Sequence, residues 1–297
     1  MFAIVKSEGF FGHVKDVHQE EIVSVNQVEQ IEISSSFIDM EVTQTDQEEI
    51  QLVLSGKVSS SLKEDLQLLV RQSGSTLTIE AKLKERKWMT GFNRISLTLQ
   101  VKLPVKFNQD VMMKSTSGDI CLENVHLNSV HLQASSGDII VEGVNVRNTL
   151  KTKVSSGDVT ISSVKAHLMS HQSSSGDVEV KKSMATIIRA ESTSGDVNVL
   201  ECSGKLDVQS TSGDVEIELS QLLDDMELRS TSGDIKIDLQ HTPEHVEVVF
   251  NSSSGDGRVK IQDLQYEVKK DHRIHGFKGT KEPKILARTS SGDFRLR

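Results

Sequence analysis

Apolar residues return along most of this chain on a period of about nineteen residues, anchored to a repeated Ser-Gly-Asp triplet. Seven positions before each triplet glycine stand Val111, Val130, Leu150, Met169, Ile188, Leu206, Met226, Val248 and Ile285. Two positions after it come Ile120, Ile139, Val159, Val178, Val197, Val215, Ile235, Gly257 and Phe294. Four after it come Leu122, Val141, Ile161, Val180, Val199, Ile217, Ile237, Val259 and Leu296. This alternation predicts two short strands per repeat, one on each side of the triplet. Four before the glycine is a polar row, Lys114, Gln133, Lys153, Gln172, Glu191, Gln209, Arg229, Asn251 and Arg288, which reads as a solvated face. The mostly Ser positions one and three before the glycine read as a tight interior.

The triplet glycines are Gly118, Gly137, Gly157, Gly176, Gly195, Gly213, Gly233, Gly255 and Gly292, spaced by 19, 20, 19, 19, 18, 20, 22 and 37 residues. The last gap is two periods long and predicts a degenerate coil marked by Gly276. A meander of Gly-Asp hairpins would need about eighteen strands, where open sheets rarely exceed about ten. Stacked coils about 4.8 Å apart explain why one residue type recurs at one offset. The fold expected is therefore all-β, a single-stranded β-solenoid with coils of about nineteen residues. The triplet is its structural turn: glycine for a positive φ and for close approach of the next coil, Asp for bonds to amides two residues on, and Ser for bonds along the stack.

Upstream, residues 22–110 alternate in the same way in "IVSVNQVEQIEI", "FIDMEV", "IQLVLSG", "LTIEAKL" and "ISLTLQVKLP". They read as an irregular start of the same solenoid, with "SSSFIDMEV" a coil whose glycine is replaced by Phe37. Three segments result: an N-terminal extension over 1–21, the irregular coils over 22–110, and the regular coils over 111–297. Residues 84–93 form an excursion carrying Trp88, a candidate contact site because an aromatic beside Lys and Arg is typical of binding hot spots. At the other extreme the final coil stops at Arg297, which predicts an open stack end guarded by Lys284, Arg288, Arg295 and Arg297.

Composition narrows the function. With 36% hydrophobic and 26% charged residues the chain is an ordinary globular one, yet it has nine Phe, one Tyr and one Trp, so aliphatic side chains must fill the core. A net charge of −9 excludes general nucleic-acid binding. The charge is uneven: 12 basic and 16 acidic residues over 1–110, 13 and 23 over 111–265, 9 and 4 over 266–297. The basic last segment makes Arg288, Arg295 and Arg297 candidates for contact with an acidic partner or, peripherally, with an anionic membrane, on a mainly monomeric protein. Cys121 and Cys202 read as free thiols. No apolar run suits a signal peptide or a membrane span, so the expected location is the cytoplasm or the cytoplasmic face of a membrane.

Candidate chemistry is sparse. The repeated Asp could hold Ca2+, with Asp138, Asp158, Asp177, Asp196 and Asp214 as weak metal candidates, but one carboxylate per coil is few for an ion that takes roughly six to eight oxygens. Because every triplet Asp has the same neighbours, no pair is set apart for acid–base work, and no catalytic residue is assigned. His167 with His171, and His241 with His245, are four apart, but in strand and loop segments they read as solvated rather than as metal ligands.

The alternating N-terminal part, "VKLPVKF" at 101–107 and the serial "STSGDI" and "SSGDV" coils together resemble a bacterial adhesin-like family of unknown function that includes LiaG-like proteins of cell-envelope stress. The resemblance covers residues 22–297. It implies a β-solenoid that is not an enzyme, needs no cofactor, and serves as an interaction or scaffold protein with a protein or envelope component as partner. Recognition of a glycan or Ca2+ is the alternative it leaves open.

Overall fold

A computed structural model describes residues 14–84 and 95–297. Among these, nearly all regular structure is β, and no helix is long and apolar enough to cross a membrane. Each regular coil runs one strand into the Ser-Gly-Asp corner and a second strand out of it, as in Asp110–Ser115 followed by Ile120–Glu123. The leading strands stack into one parallel sheet and the trailing strands into another. Register is strict: Val111, Val130, Leu150, Met169, Ile188, Leu206 and Met226 pair in succession, and all seven are buried. Their trailing counterparts, Ile120 to Ile235, close the core from the other side. Apolar side chains facing inward from both sheets, almost all aliphatic, make one continuous core.

Two further bends complete a coil. Six residues after the triplet glycine the chain turns through Asn124, Gly143, Ser163, Lys182 and Glu201, whose φ lies between 49° and 65°. A third, short strand follows, His126–Leu127 pairing with Asn145–Val146. In later coils it merges with the leading strand, as in Lys165–Ser173 and Met184–Ser192.

Both ends of the stack depart from the sequence reading. Residues 14–21 are part of the fold, because strand Val14–Val23 pairs antiparallel with Ile50–Ser59. The degenerate first coil has Ile38, not Phe37, in the glycine place: Met40 pairs with Ile120, and the Ile38 amide bonds to Ser35 Oγ as a triplet glycine would. The next layer outward is formed by strands Thr76–Leu83 and Ile95–Pro104, with no Ser-Gly-Asp triplet between them in the sequence. Leu66–Ser73 and Ile50–Ser59 then cover this layer antiparallel.

At the other end the coils are out of chain order. Strands Lys284–Arg288 and Phe294–Leu296 lie between the coil of Met226–Ser230 and Ile235–Leu239 and the coil of Val246–Asn251 and Gly257–Val259. The last coil is thus interior, not an open stack end, and Phe294 stacks on Phe250 with ring centroids 5.0 Å apart. Gly276 marks no coil. It lies in Arg273–Lys278, which with Gln265–Lys270 forms an antiparallel hairpin that continues the leading sheet beyond Val246–Asn251.

Candidate functional site

The corner column is built by three ladders. Ser192 Oγ accepts from the Gly195 amide at 2.9 Å and donates to the Gly176 carbonyl of the neighbouring coil at 2.8 Å, and Ser173, Ser210 and Ser230 repeat both bonds. These serines, three before the glycine, are buried, whereas those one before it, such as Ser117 and Ser194, are exposed, so only one of the two serine columns lines the interior.

None of the triplet glycines lies in the positive-φ region. What they supply is space, because a Cβ on any of them would fall 1.7–2.4 Å from a carbonyl oxygen of the adjacent coil. Left-handed backbone belongs to the second bend, where mostly non-glycine residues adopt it.

The Asp ladder also differs from expectation. Oδ1 of Asp39, Asp119, Asp138, Asp158, Asp177, Asp196, Asp214, Asp234 and Asp293 accepts not from its own turn but from the amide of the Asp in the next coil, at 2.8–3.0 Å, the last donor being Asp256. The five metal candidates in this row therefore each have one oxygen engaged. Among the described residues, the acidic oxygens that converge within 4.8 Å are those of Glu216, Glu218 and Asp238 on the trailing sheet. There Lys236 and Arg297 already pair with them, and these two cations hold the Asp238 carboxyl below its usual range.

The three arginines proposed for contact are dispersed. Arg297 is spent on Asp238, Arg295 reaches Asp293 at 3.6 Å and Asp234 at 3.9 Å, and Arg288 stands exposed on the leading face beside Arg229. Trp88 lies outside the described residues. Both thiols are held protonated: burial and Glu123 push Cys121 up to about 12, and burial pushes Cys202 up to about 11. Neither suits thiolate chemistry.

His171 is not solvated. It is fully buried, with Nδ1 3.0 Å from Thr152 Oγ1, no partner for Nε2, and a pKa lowered to about 3 by desolvation. His167, four residues earlier, is exposed.

The feature missed from the sequence is a groove of about 520 Å3 beside the short third strand. Two rows cross it on successive coils: His126, Asn145 and Lys165 in one, Arg147, His167 and Thr186 in the other. Asn145 Nδ2 lies 3.0 Å from His126 Nδ1, and Thr186 Oγ1 lies 3.1 Å from His167 Nδ1. Gln44 Oε1 accepts from the His126 amide at 2.9 Å and steadies the row. None of the residues lining the groove is acidic. Scoring charge by strand rather than by chain segment would have exposed it.

The sequence profile of the Toastrack DUF4097 family matches residues 28–150 and again 145–297. No curated protein matches the chain. Among solved structures it is similar to a candidate lipid-binding protein from Parabacteroides distasonis, with 16% identity, TM-score 0.54, and 96% of this chain and 98% of that one covered. It is also similar to a candidate adhesin from Parabacteroides merdae, with 11% identity, TM-score 0.49, and 93% and 95% covered. A candidate adhesin from Bacteroides fragilis matches with 13% identity, TM-score 0.46, and 95% and 97% covered.

Proposed function

We propose, from the premise that the chain belongs to the Toastrack DUF4097 family, that it is a non-catalytic binding protein of the bacterial envelope, acting through the outer faces of its stack. The observation that carries this reading is the uniformity of the corner column. From Asp119 to Asp214 each triplet Asp makes the same bond to the same kind of neighbour, so no two of these carboxylates are driven apart into acid and base. What varies from coil to coil is the outer surface, which is where a partner is recognised.

Antiparallel strands cap both sheets at the N-terminal end of the stack and the leading sheet at the other, which supports a monomer because the coil edge left for a second copy is only the three-residue strand Gly257–Val259. The lysines on strand Gln265–Lys270 serve the same purpose. Recognition of Ca2+ by the Asp column is the weaker reading, because half of each carboxylate is already engaged by an amide.

The test is retention of immobilised protein on wall and membrane fractions from a Gram-positive and a Gram-negative bacterium, with a parallel screen for cleavage of polysaccharides, phosphoesters and peptides. Salt-sensitive retention without turnover is expected. Turnover abolished by a single side-chain change, or no retention at low salt, would overturn the reading.

A further inference from the structure

Between residues 111 and 176 charge is sorted across the stack. All five acids there, Asp119, Glu123, Asp138, Glu142 and Asp158, sit at the triplet corner or on trailing strands. All five Lys and Arg side chains, Lys114, Arg147, Lys151, Lys153 and Lys165, sit on leading strands or on or beside the third strand. Asp110, at the start of the first leading strand, is the acid on this side and accepts from Asn128 Nδ2 at 2.7 Å; apart from it, one side of these coils is basic on a chain whose net charge is −9. The groove lies on that side.

Its chemistry is that of a donor cradle. Arg147 offers a forked guanidinium and Lys165 an ammonium, and both are exposed rather than spent on carboxylates. Asn145 donates to Nδ1 of His126, which leaves Nε2–H as that ring's donor, and the Thr186 hydroxyl can fix His167 in the same way. Successive coils repeat these donors at about 4.8 Å, so the groove offers them in series.

We propose that this groove binds the phosphate groups of a phosphate-bearing polyol or carbohydrate chain, with Arg147 and Lys165 as the charged contacts and His126 and His167 as N–H donors. The inference rests on the binding reading above and names the chemistry of what is bound. A tetrahedral oxyanion suits several convergent donors and no acceptor carboxylate. A single polymer strand suits a groove better than a flat bilayer does, because the cations line a concavity. An oligonucleotide is disfavoured, because no Phe, Tyr or Trp lines the groove to stack a base.

The test is calorimetric titration of the full chain at low salt with poly(glycerol phosphate), inorganic phosphate, a single-stranded oligodeoxynucleotide, and vesicles of phosphatidylglycerol. The polymer is expected to bind more tightly than the other three. Arg147→Gln with Lys165→Gln, and separately Lys165→Gln alone, should weaken it at least tenfold and about threefold, with unchanged melting temperatures. Arg258→Gln on the far sheet should leave it unchanged.

No binding of the polymer by the wild type, or equal binding by the groove variants, would overturn the proposal. So would equal or tighter binding of vesicles or oligonucleotide. Continued retention on envelope fractions by a groove variant that has lost the polymer would show that the binding reading stands on another surface.

Discussion

Adding one methyl group to Gly195 would place a carbon 2.3 Å from the Gly176 carbonyl oxygen, where nothing flexible can give way. Gly195→Ala is therefore expected to cost about 2–4 kcal/mol, read from denaturant unfolding; an unchanged midpoint would show that the coils separate without penalty. The reverse gain is available at Ala134, which stands where other coils have the doubly bonded serine. Ala134→Ser should stabilise by about 1 kcal/mol by serving the Gly137 amide and the Gly118 carbonyl. His171 makes a pH prediction. The unfolded chain takes up a proton near 6.5 and the folded one only near 3, so the unfolded state binds more protons between these values. Stability should fall by about 1.4 kcal/mol per unit as pH drops through that window, and be insensitive to this group above it. Replacing His171 by Leu together with Thr152 by Val should flatten the slope; a slope that persists would assign it elsewhere. The burial of His171 was legible: five before each glycine runs Met113, Leu132, Thr152, His171, Ala190, Val208 and Leu228, an apolar column broken by one polar pair. The spacing to His167 is misleading because the His167 and Leu168 amides both bond to the Asn148 carbonyl, an irregularity within Lys165–Ser173 that breaks the alternation and leaves His167 exposed while His171 is buried.

Elements here are held to one another mainly through ladders between coils, which is why the strands were easy to read and their bonds were not. Period-two alternation located the leading and trailing strands because burial imposes it on each strand separately. The Asp bond crosses from one coil to the next, and no single repeat contains both of its partners. Asp177→Asn keeps an oxygen for the Asp196 amide and removes one charge from the column, so a change under about 1 kcal/mol is expected, while Asp177→Ala should cost about 1–2 kcal/mol. Calcium should leave the melting temperature of both unchanged from that in chelator; a rise in the wild type alone would instead give the free oxygens of the column a metal. The groove was hidden for a related reason. Counting charge over residues 111–265 sums acids and bases that face opposite ways, and only assignment to strands separates Lys151 and Lys153 from Glu142.

For the whole molecule, local stacking makes stability divisible. Phe294→Ala should cost about 3–5 kcal/mol, because it removes a fully buried ring stacked on Phe250. Its effect should be regional: hydrogen exchange should quicken over 246–297 while residues 111–215 stay protected, and uniform loss of protection would mean that the stack melts as one unit. Polar contacts fix the same region, with Glu247 between the Lys284 ammonium and the His275 ring, and the His275 ring 3.0 Å from Glu267. Chain order at this end escaped the sequence reading because "SSSGD" at 252–256 and "TSSGD" at 289–293 have nearly the same pattern, and periodicity counts coils without saying which lies on which. That resemblance has a consequence for assembly in time. During synthesis the coil of 246–259 emerges first and faces an exposed edge at 226–239 that its own glycine, serines and Asp fit almost as well as the later coil does. Docking there at once would close the place that residues 284–296 must take, so the native arrangement requires the earlier coil to wait or to let go. Competition between near-equivalent strands for one edge is thus the expected determinant of the order of the last two layers, an edge that residues 284–296 occupy in the native fold.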